Sequence, residues 1–498
     1  MAIKLKQYLE NSWYRWASQD RQTWYAAQFQ YWVWINVRDM RNWVCLAWGR
    51  TDITSFSKPF TYFTYNSNLY LLDTDWKIYD NTWTLKCSSW VSWANVWVEF
   101  SWYIYVVWSG WVAQIDNTFT VSDVTPTWWA NHWTCALNYA NTFLLVWDWN
   151  LVWRFDLSWL PAEQIRNFDA SYDVFWLTQE WNYLKIYVSN WVDSKVHYAK
   201  GTFDVEDTWL VQTVSFKGLA LNKWTIASDQ GNDYAIFSPT SWEYKLAKVQ
   251  WYNKTDIRWT QKWWWERIFT ASAANIIASD WVLFAAMDEW IWTFTEYNWW
   301  LWWWCVEFAT QWQIISMFRY WEQLYVCCKV WDDYIESYYD MSFHPAKYQT
   351  SWYIIGRVFD WWCAWLFKKN DQATITYNMP EWTSMELSYR YDRSSFWYDK
   401  SNFVKIKSLL DTNNCYDIVV PTTPSLKEES LLLMENWTDK ILLENWNWIQ
   451  LEDLLICPFN MTWNLLEYRV DLYTNDNTKT PILFEHSLTY YDYMRKYR

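Results

Sequence analysis

Short apolar runs broken by turn signals fill this chain. Strand pairs are predicted to start near Leu69 (LYLLDTDWKIYDNTWTL), Tyr103 (YIYVVWSGWVAQID), Phe143 (FLLVWDWNLVWRFD) and Tyr183 (YLKIYVSNWVDSKVHYAKG). Further pairs are expected near Asp233, Ile276, Leu324 and Tyr353. Each unit reads as an apolar strand, a turn and a second strand, the turn most often Asp or Asn followed by Trp or Gly. Helical periodicity is confined to PAEQIRNF (161–168) and SLKEESLLLM (425–434). The pattern therefore predicts an all-β protein. Most unit spacings fall in the thirties to forties, the period of β-propeller blades. A lone four-stranded blade cannot bury both faces, and radial packing against neighbours does so. Six or seven blades are expected over 61–378, after an N-terminal arm and entry segment over 1–60.

Beyond Pro380 the texture changes. MELSYRY (385–391), FVKIKSLL (403–410), KILLEN (440–445), EYRVDLYTN (467–475) and PILFEHSLTYYDY (481–493) are strand-like. Tyr468, Val470 and Leu472 alternate with Arg469, Asp471 and Tyr473. Ile482, Phe484, Leu488 and Tyr490 alternate with Glu485, Ser487 and Thr489. This predicts a C-terminal β-sandwich or jelly-roll-like domain over 379–498, with 475–481 as a polar turn joining its last two strands.

Composition changes the picture. Trp accounts for 54 of 498 residues and Gly for 6, whereas Gly ordinarily makes up roughly 7% of a chain. Hairpin turns need residues at positive φ, where Gly serves and Trp pays a steric penalty. The Trp of Asp75-Trp76, Asp148-Trp149, Asn190-Trp191 and Asp280-Trp281 stand between strand-like runs, where Gly is expected. Consecutive Trp263–Trp265 and Trp302–Trp304 would leave large apolar surfaces as indoles, but make loops as glycines. Most of these Trp are therefore read as Gly positions of a gene that uses UGA for glycine, translated with a table that gives tryptophan.

The net charge of −14 argues against nucleic acid as a main partner. Residues 1–60 carry eight Lys/Arg against four Asp/Glu, so the acidic excess lies in the remainder. Nine scattered Cys form no CxxC pair, and Cys327 and Cys328, adjacent in a strand, read as small core residues facing opposite ways. No signal peptide and no membrane span are expected.

Catalytic patterns are absent from the sequence. His132, His197, His344 and His486 lie far apart and read as surface or structural residues. NWWLWWWC (298–305), read as NGGLGGGC, gives a Gly-rich loop without the GK[ST] that grips phosphate. Asp73, Asp75 and Asp80 fit a hairpin turn better than a calcium loop, since the terminal Glu is missing. Asp332-Asp333 face opposite ways in a strand, and no GxSxG or sialidase-type SxDxGxTW box occurs. No catalytic, cofactor-binding or metal-binding residue is assigned, and the chain is not read as an enzyme.

INVRDMRNWVCLAWGR (35–50) is similar to the entry segment of β-propeller proteins of tailed phages and prophages. YRVDLYTNDNTKTPILFEHSLTYYD (468–492) resembles the closing hairpin of large phage virion proteins. The resemblance implies a virion structural protein, tail-associated or in the head–tail region, that assembles with other virion proteins and with copies of itself. Host-surface glycan recognition is a further role it allows. A carbohydrate-binding surface or receptor-binding module is the alternative reading, and a propeller glycoside hydrolase the second.

Overall fold

A computed structural model describes residues 6–10 and 418–420 and, with short omitted stretches, 33–391 and 453–493. Every regular element among the described residues is a β-strand. Six four-stranded antiparallel sheets dominate. Four are uninterrupted meanders after the first one at Pro59–Tyr65, Asn68–Asp73, Lys77–Asp80 and Leu85–Ser88. These four open with Val96–Phe100, Thr134–Tyr139, Asp173–Glu180 and Ala220–Asp229. A similar meander opens at Asn275–Ser279 and runs to Trp302–Ala309, where it continues into a nine-stranded sheet.

Successive sheets pack face on face. Phe63, Tyr65 and Leu72 of the first meet Ile104, Val106 and Ile115 of the second. Phe100 and Tyr105 then meet Leu144 and Val146, and Leu145 and Trp147 meet Leu177 and Ile186. Tyr187 and Val196 meet Ala235 and Phe237. Phe284 and Ile291 meet Ile314, Leu324 and Val326. The row then closes on itself: Tyr62, Leu69 and Leu71 of the first sheet pack on Cys327 of the last. Tyr62 and Tyr325 pack across this seam, tilted at 45°, with ring centroids 4.7 Å apart. Strands buried on both faces within such a closed row make a β-propeller. Asn68–Asp73 shows why the run LYLL is apolar without interruption: both its faces are covered, and all four residues are buried.

The last sheet takes strands Gln313–Tyr320, Gln323–Val330 and Asp333–Asp340, and its fourth comes from the other end of the chain. Arg50–Ile53 pairs antiparallel with Asp333–Asp340, placing Ile53 opposite Glu336. The approach to that strand is tight. Gly49 donates its N–H to the Lys347 carbonyl at 2.7 Å, and a Cβ there would stand 2.5 Å from the Tyr348 carbonyl oxygen. Here glycine is demanded by space.

Two larger sheets combine strands from both ends of the chain. In one, Ile482–Tyr493 pairs with Lys6–Glu10, Val44–Leu46 and Phe367–Asn378. In the other, Val33–Ile35 bridges Trp302–Ala309 to Ser351–Ile355, which continues to Leu466–Thr474 and Thr383–Tyr391.

Four expectations need correction. PAEQIRNF is not helical: Glu163–Asn167 is the edge strand of the Thr134–Tyr139 meander, with Ile165 buried between neighbouring sheets. About two turns cannot offset helix nucleation, whereas the open sheet edge supplies hydrogen-bond partners at once. The stretch NWWLWWWC is not a loop throughout, because Trp302–Trp304 pair with Tyr297, Glu296 and Thr295. The two strands joined by 475–481 do not form a hairpin with each other, since Leu466–Thr474 and Ile482–Tyr493 lie in different sheets. Nor does one alternating face run through the last strand. The register shift opposite Thr376 and Tyr377 skips Phe484, so Leu483 is buried before it and His486 and Leu488 after it. The segments 403–410, 425–434 and 440–445, and His132, lie outside the described residues.

Candidate functional site

The tips of the first hairpin in each sheet form the most regular polar and exposed feature. Tyr65 pairs with Asn68, Phe100 with Tyr103, Glu180 with Tyr183, Asp229 with Asn232 and Tyr320 with Gln323, each across a two-residue turn. Such turns favour left-handed backbone, which matches strand twist. Asn66, Ser67, Ser101, Trp102, Trp181, Gly231 and Trp321 all have positive φ.

Neighbouring tips are tied by one repeated hydrogen bond. The Tyr65 hydroxyl donates to the Trp102 carbonyl at 2.5 Å, and the Tyr320 hydroxyl to the Ser67 carbonyl at 2.8 Å. Lys185 Nζ donates to the Gly231 carbonyl at 3.1 Å. In all three the acceptor is the second residue of the next sheet's turn. The preceding sheet thus holds that turn in place with a side chain at these three seams.

Beneath these tips lies the densest charged cluster of the described core. Lys185 Nζ stands 2.6 Å from Glu180 Oε2 and 3.0 Å from Asp233 Oδ2, with side-chain exposures of 0%, 2% and 0%. Asp233 also accepts from Thr178 Oγ1, Tyr187 OH and Ser228 Oγ, each at 2.6 Å. Burial, with Asp233 alongside, pushes the Tyr187 phenol well above its ordinary range, so it stays a donor. Two acids this close invite comparison with a glycosidase pair. Here a lysine sits between them and no water reaches them, so the cluster is a bolt between sheets rather than a reaction centre.

A second seam holds Glu336, fully buried between Tyr62 and Cys327. Burial, then Cys327 and Glu336 nearby, raise the Tyr62 phenol far above normal. Cys327 and Cys328 point to opposite seams, as their adjacency in a strand predicts. Burial pushes Cys328 up to about 12 and Cys327 well above its usual value, so neither is a nucleophile at neutral pH.

Three exposed loops share the sequence Asp-Asn-Thr-x-Thr: 80–84, 116–120 and 476–480. Asp80 Oδ1 accepts from Thr82 N, Thr82 Oγ1 and Thr84 N at 2.9, 2.7 and 2.9 Å. Asp116 Oδ1 accepts from Thr118 N, Thr118 Oγ1 and Thr120 N at 2.8, 2.7 and 2.8 Å. Asp476 Oδ1 accepts from Thr478 N and Oγ1 at 3.0 and 2.7 Å. Hydrogen bonds from Thr118 and Thr120 hold the Asp116 carboxyl below the usual range. The loop is a self-sufficient turn: aspartate replaces the backbone acceptors that a strand end lacks. The repeat is visible in the sequence, and a search for pentapeptide identity rather than for strand period finds it.

Of the residues singled out by sequence, Asp73 is buried and accepts from Asp75 N and Lys77 N at 2.8 and 2.9 Å, closing a hairpin turn. His197 is packed on Phe168 and bonded to Thr213 Oγ1 at 2.8 Å. Burial, then Lys195 and Arg166, lower its pKa to about 4. His344 is exposed, and His486 is fully buried, with a pKa lowered by burial to about 3. The structure brings none of these three together. Among the described residues no group of His, Cys, Asp and Glu could hold a metal ion, and no helix is long and apolar enough to cross a membrane.

No protein-family model and no curated protein matches the chain. Among solved structures it is similar to the Pan2 WD40 domain of Neurospora crassa at 9% identity, over 62% of this chain and 98% of that one, with a TM-score of 0.42. It is similar to virginiamycin B lyase from Staphylococcus aureus at 9% identity, over 59% and 99%, with a TM-score of 0.42. A third is the Cps50 (Swd1) β-propeller domain of Myceliophteria thermophila at 8% identity, over 58% and 99%, with a TM-score of 0.43. At these values the likenesses say nothing about activity.

Proposed function

We propose that the protein is a structural component of a tailed-phage virion, in the tail or the head–tail region, acting through protein–protein assembly. Its body is a seven-bladed propeller: the six four-stranded sheets and the meander opening at Asn275–Ser279. A sandwich-like unit accompanies it, built jointly from strands before residue 50 and after residue 350. Assembly partners are other virion proteins and further copies of the chain, with host-surface recognition at exposed tips as an added role.

One observation carries the reading. The two stretches that resemble phage proteins, 35–50 and 468–492, are distant in sequence but meet in one sheet, where Val44–Leu46 pairs with Ile482–Tyr493. Val44 and Cys45 pair with Leu483 and Ile482, and Leu46 N donates to Thr480 Oγ1 at 3.0 Å in a buried setting. Tyr348 N closes the same corner on the Asn477 carbonyl at 2.6 Å. Peptide mapping of purified virions tests the proposal. Peptides of this chain in fixed proportion to capsid and tail proteins are expected, and their absence from intact particles overturns it.

A further inference from the structure

We propose that the natural protein carries glycine at positions 102, 149, 181, 321, 331 and 382. The tryptophans written there would then be glycine codons read with the wrong table. The composition raised this for the Trp as a class, and the backbone now sorts individual positions.

Among the described residues eleven non-glycines have positive φ, and seven of them are Trp. Six of the seven point their indoles into solvent: Trp102 at 78%, Trp149 at 49%, Trp181 at 70%, Trp321 at 77%, Trp331 at 91% and Trp382 at 64% exposure. Each of the six has a φ between 49° and 71°. An aromatic residue gains little from such a site: the left-handed backbone costs free energy, and about half or more of each residue stays exposed. Glycine meets the same geometry without penalty.

The molecule contains its own comparison. Gly231, at φ 83°, is the second residue of the turn between Asp229 and Asn232. Trp102 is the second residue of the equivalent turn between Phe100 and Tyr103, at φ 71°. The carbonyls of both accept the same inter-sheet hydrogen bond, from Lys185 and Tyr65 respectively. One position in one repeated device thus holds glycine in one blade and an exposed indole in another.

Trp83 is the instructive exception. It has φ 64°, but it occupies the fourth place of an Asp-Asn-Thr-x-Thr loop. Phe119 holds that place in the next loop, at φ 61°. Both rings pack against neighbouring cores, so an aromatic is accommodated there and Trp83 is left out of the proposal. Trp147 and Trp292, at 3% and 4% exposure, are likewise ordinary core residues.

The proposal requires ribosomes supplied with a glycine-charged tRNA that reads UGA. Mass spectrometry of the protein from its natural source tests it. The tryptic peptides Tyr320–Lys329 and Val330–Lys347 each contain a single Trp, at 321 and 331. Glycine is expected at both places, with loss of indole absorbance from both peptides. Tryptophan at either overturns the proposal, as does a UGG codon at any of the six positions in the gene. A folding measurement adds an independent arm. The recombinant chain with all six changed to glycine should unfold at higher denaturant concentration than the chain with all six changed to alanine. An alanine chain of equal or greater stability counts against the assignment, because alanine keeps the Cβ that left-handed backbone resists.

Discussion

The ammonium of Lys185 lies 3.0 Å from Asp233 Oδ2, across the seam between two blades and with both side chains wholly buried. A lone charge in such a place is costly, and the pair persists because each partner neutralises the other. Lys185→Met removes the cation and leaves Glu180 and Asp233 facing each other. The expected loss is about 3–5 kcal/mol of unfolding free energy. Adding Glu180→Gln and Asp233→Asn to Lys185→Met should recover a large part of it. Urea denaturation of the single and triple variants measures both, and a neutral single variant would refute the bolt.

Thr480 joins the two ends of the chain. Its Oγ1 accepts the N–H of Leu46, a residue with no exposure. Thr480→Val keeps the shape and removes the acceptor, stranding a buried N–H at a cost of about 1–3 kcal/mol. Faster hydrogen exchange at Leu46 in the variant, with the Lys185 seam unchanged, is the expected signature.

His486 and His197 make the fold acid-sensitive. Burial lowers them to about 3 and about 4, against 6.5 for the free side chain. The unfolded chain therefore takes up protons first as pH falls. Stability from these rings is complete above about pH 6.5 and is lost progressively toward pH 3–4. His486→Asn should flatten the lower part of that slope. Thermal unfolding at a series of pH values shows whether the two curves converge at acid pH.

Cys327 and Cys328 should resist thiol reagents in the folded protein. Burial holds both well above neutral pKa, on opposite seams. At about pH 8 a free thiol is partly ionised and reacts. Labelling of these two is expected only on global unfolding. Fast labelling of either before the loss of circular dichroism would contradict the packing.

The fold was legible where chemistry repeats. Leu69, Tyr103, Phe143, Tyr183, Asp233 and Leu324 all fall at the start of the second strand of a sheet, since a strand covered on both faces is largely apolar. Ile276 falls in the first strand of its meander, and Tyr353 belongs to the nine-stranded sheet instead. The errors came where tertiary context decides. Ile165 and Phe168 are spaced as on a helix, but a vacant sheet edge took the segment. The skip at Phe484 is invisible without its partner strand. The Lys185 cluster was illegible for a similar reason. Glu180, Lys185, Ser228 and Asp233 belong to two hairpins, and nothing local pairs their side chains.

Ring closure by Arg50–Ile53 has a consequence in time. That strand is made before the sheets of the ring, while its partner Asp333–Asp340 belongs to the last of them. Until then the last sheet is not there to cover Tyr62 and Leu71 of the first, and the edge strand waits unpaired. Long-range pairing of this kind slows folding and lengthens exposure of sticky surface. Shielding of the early sheets during synthesis therefore bears on the yield of folded chain, alongside the stability of the closed ring.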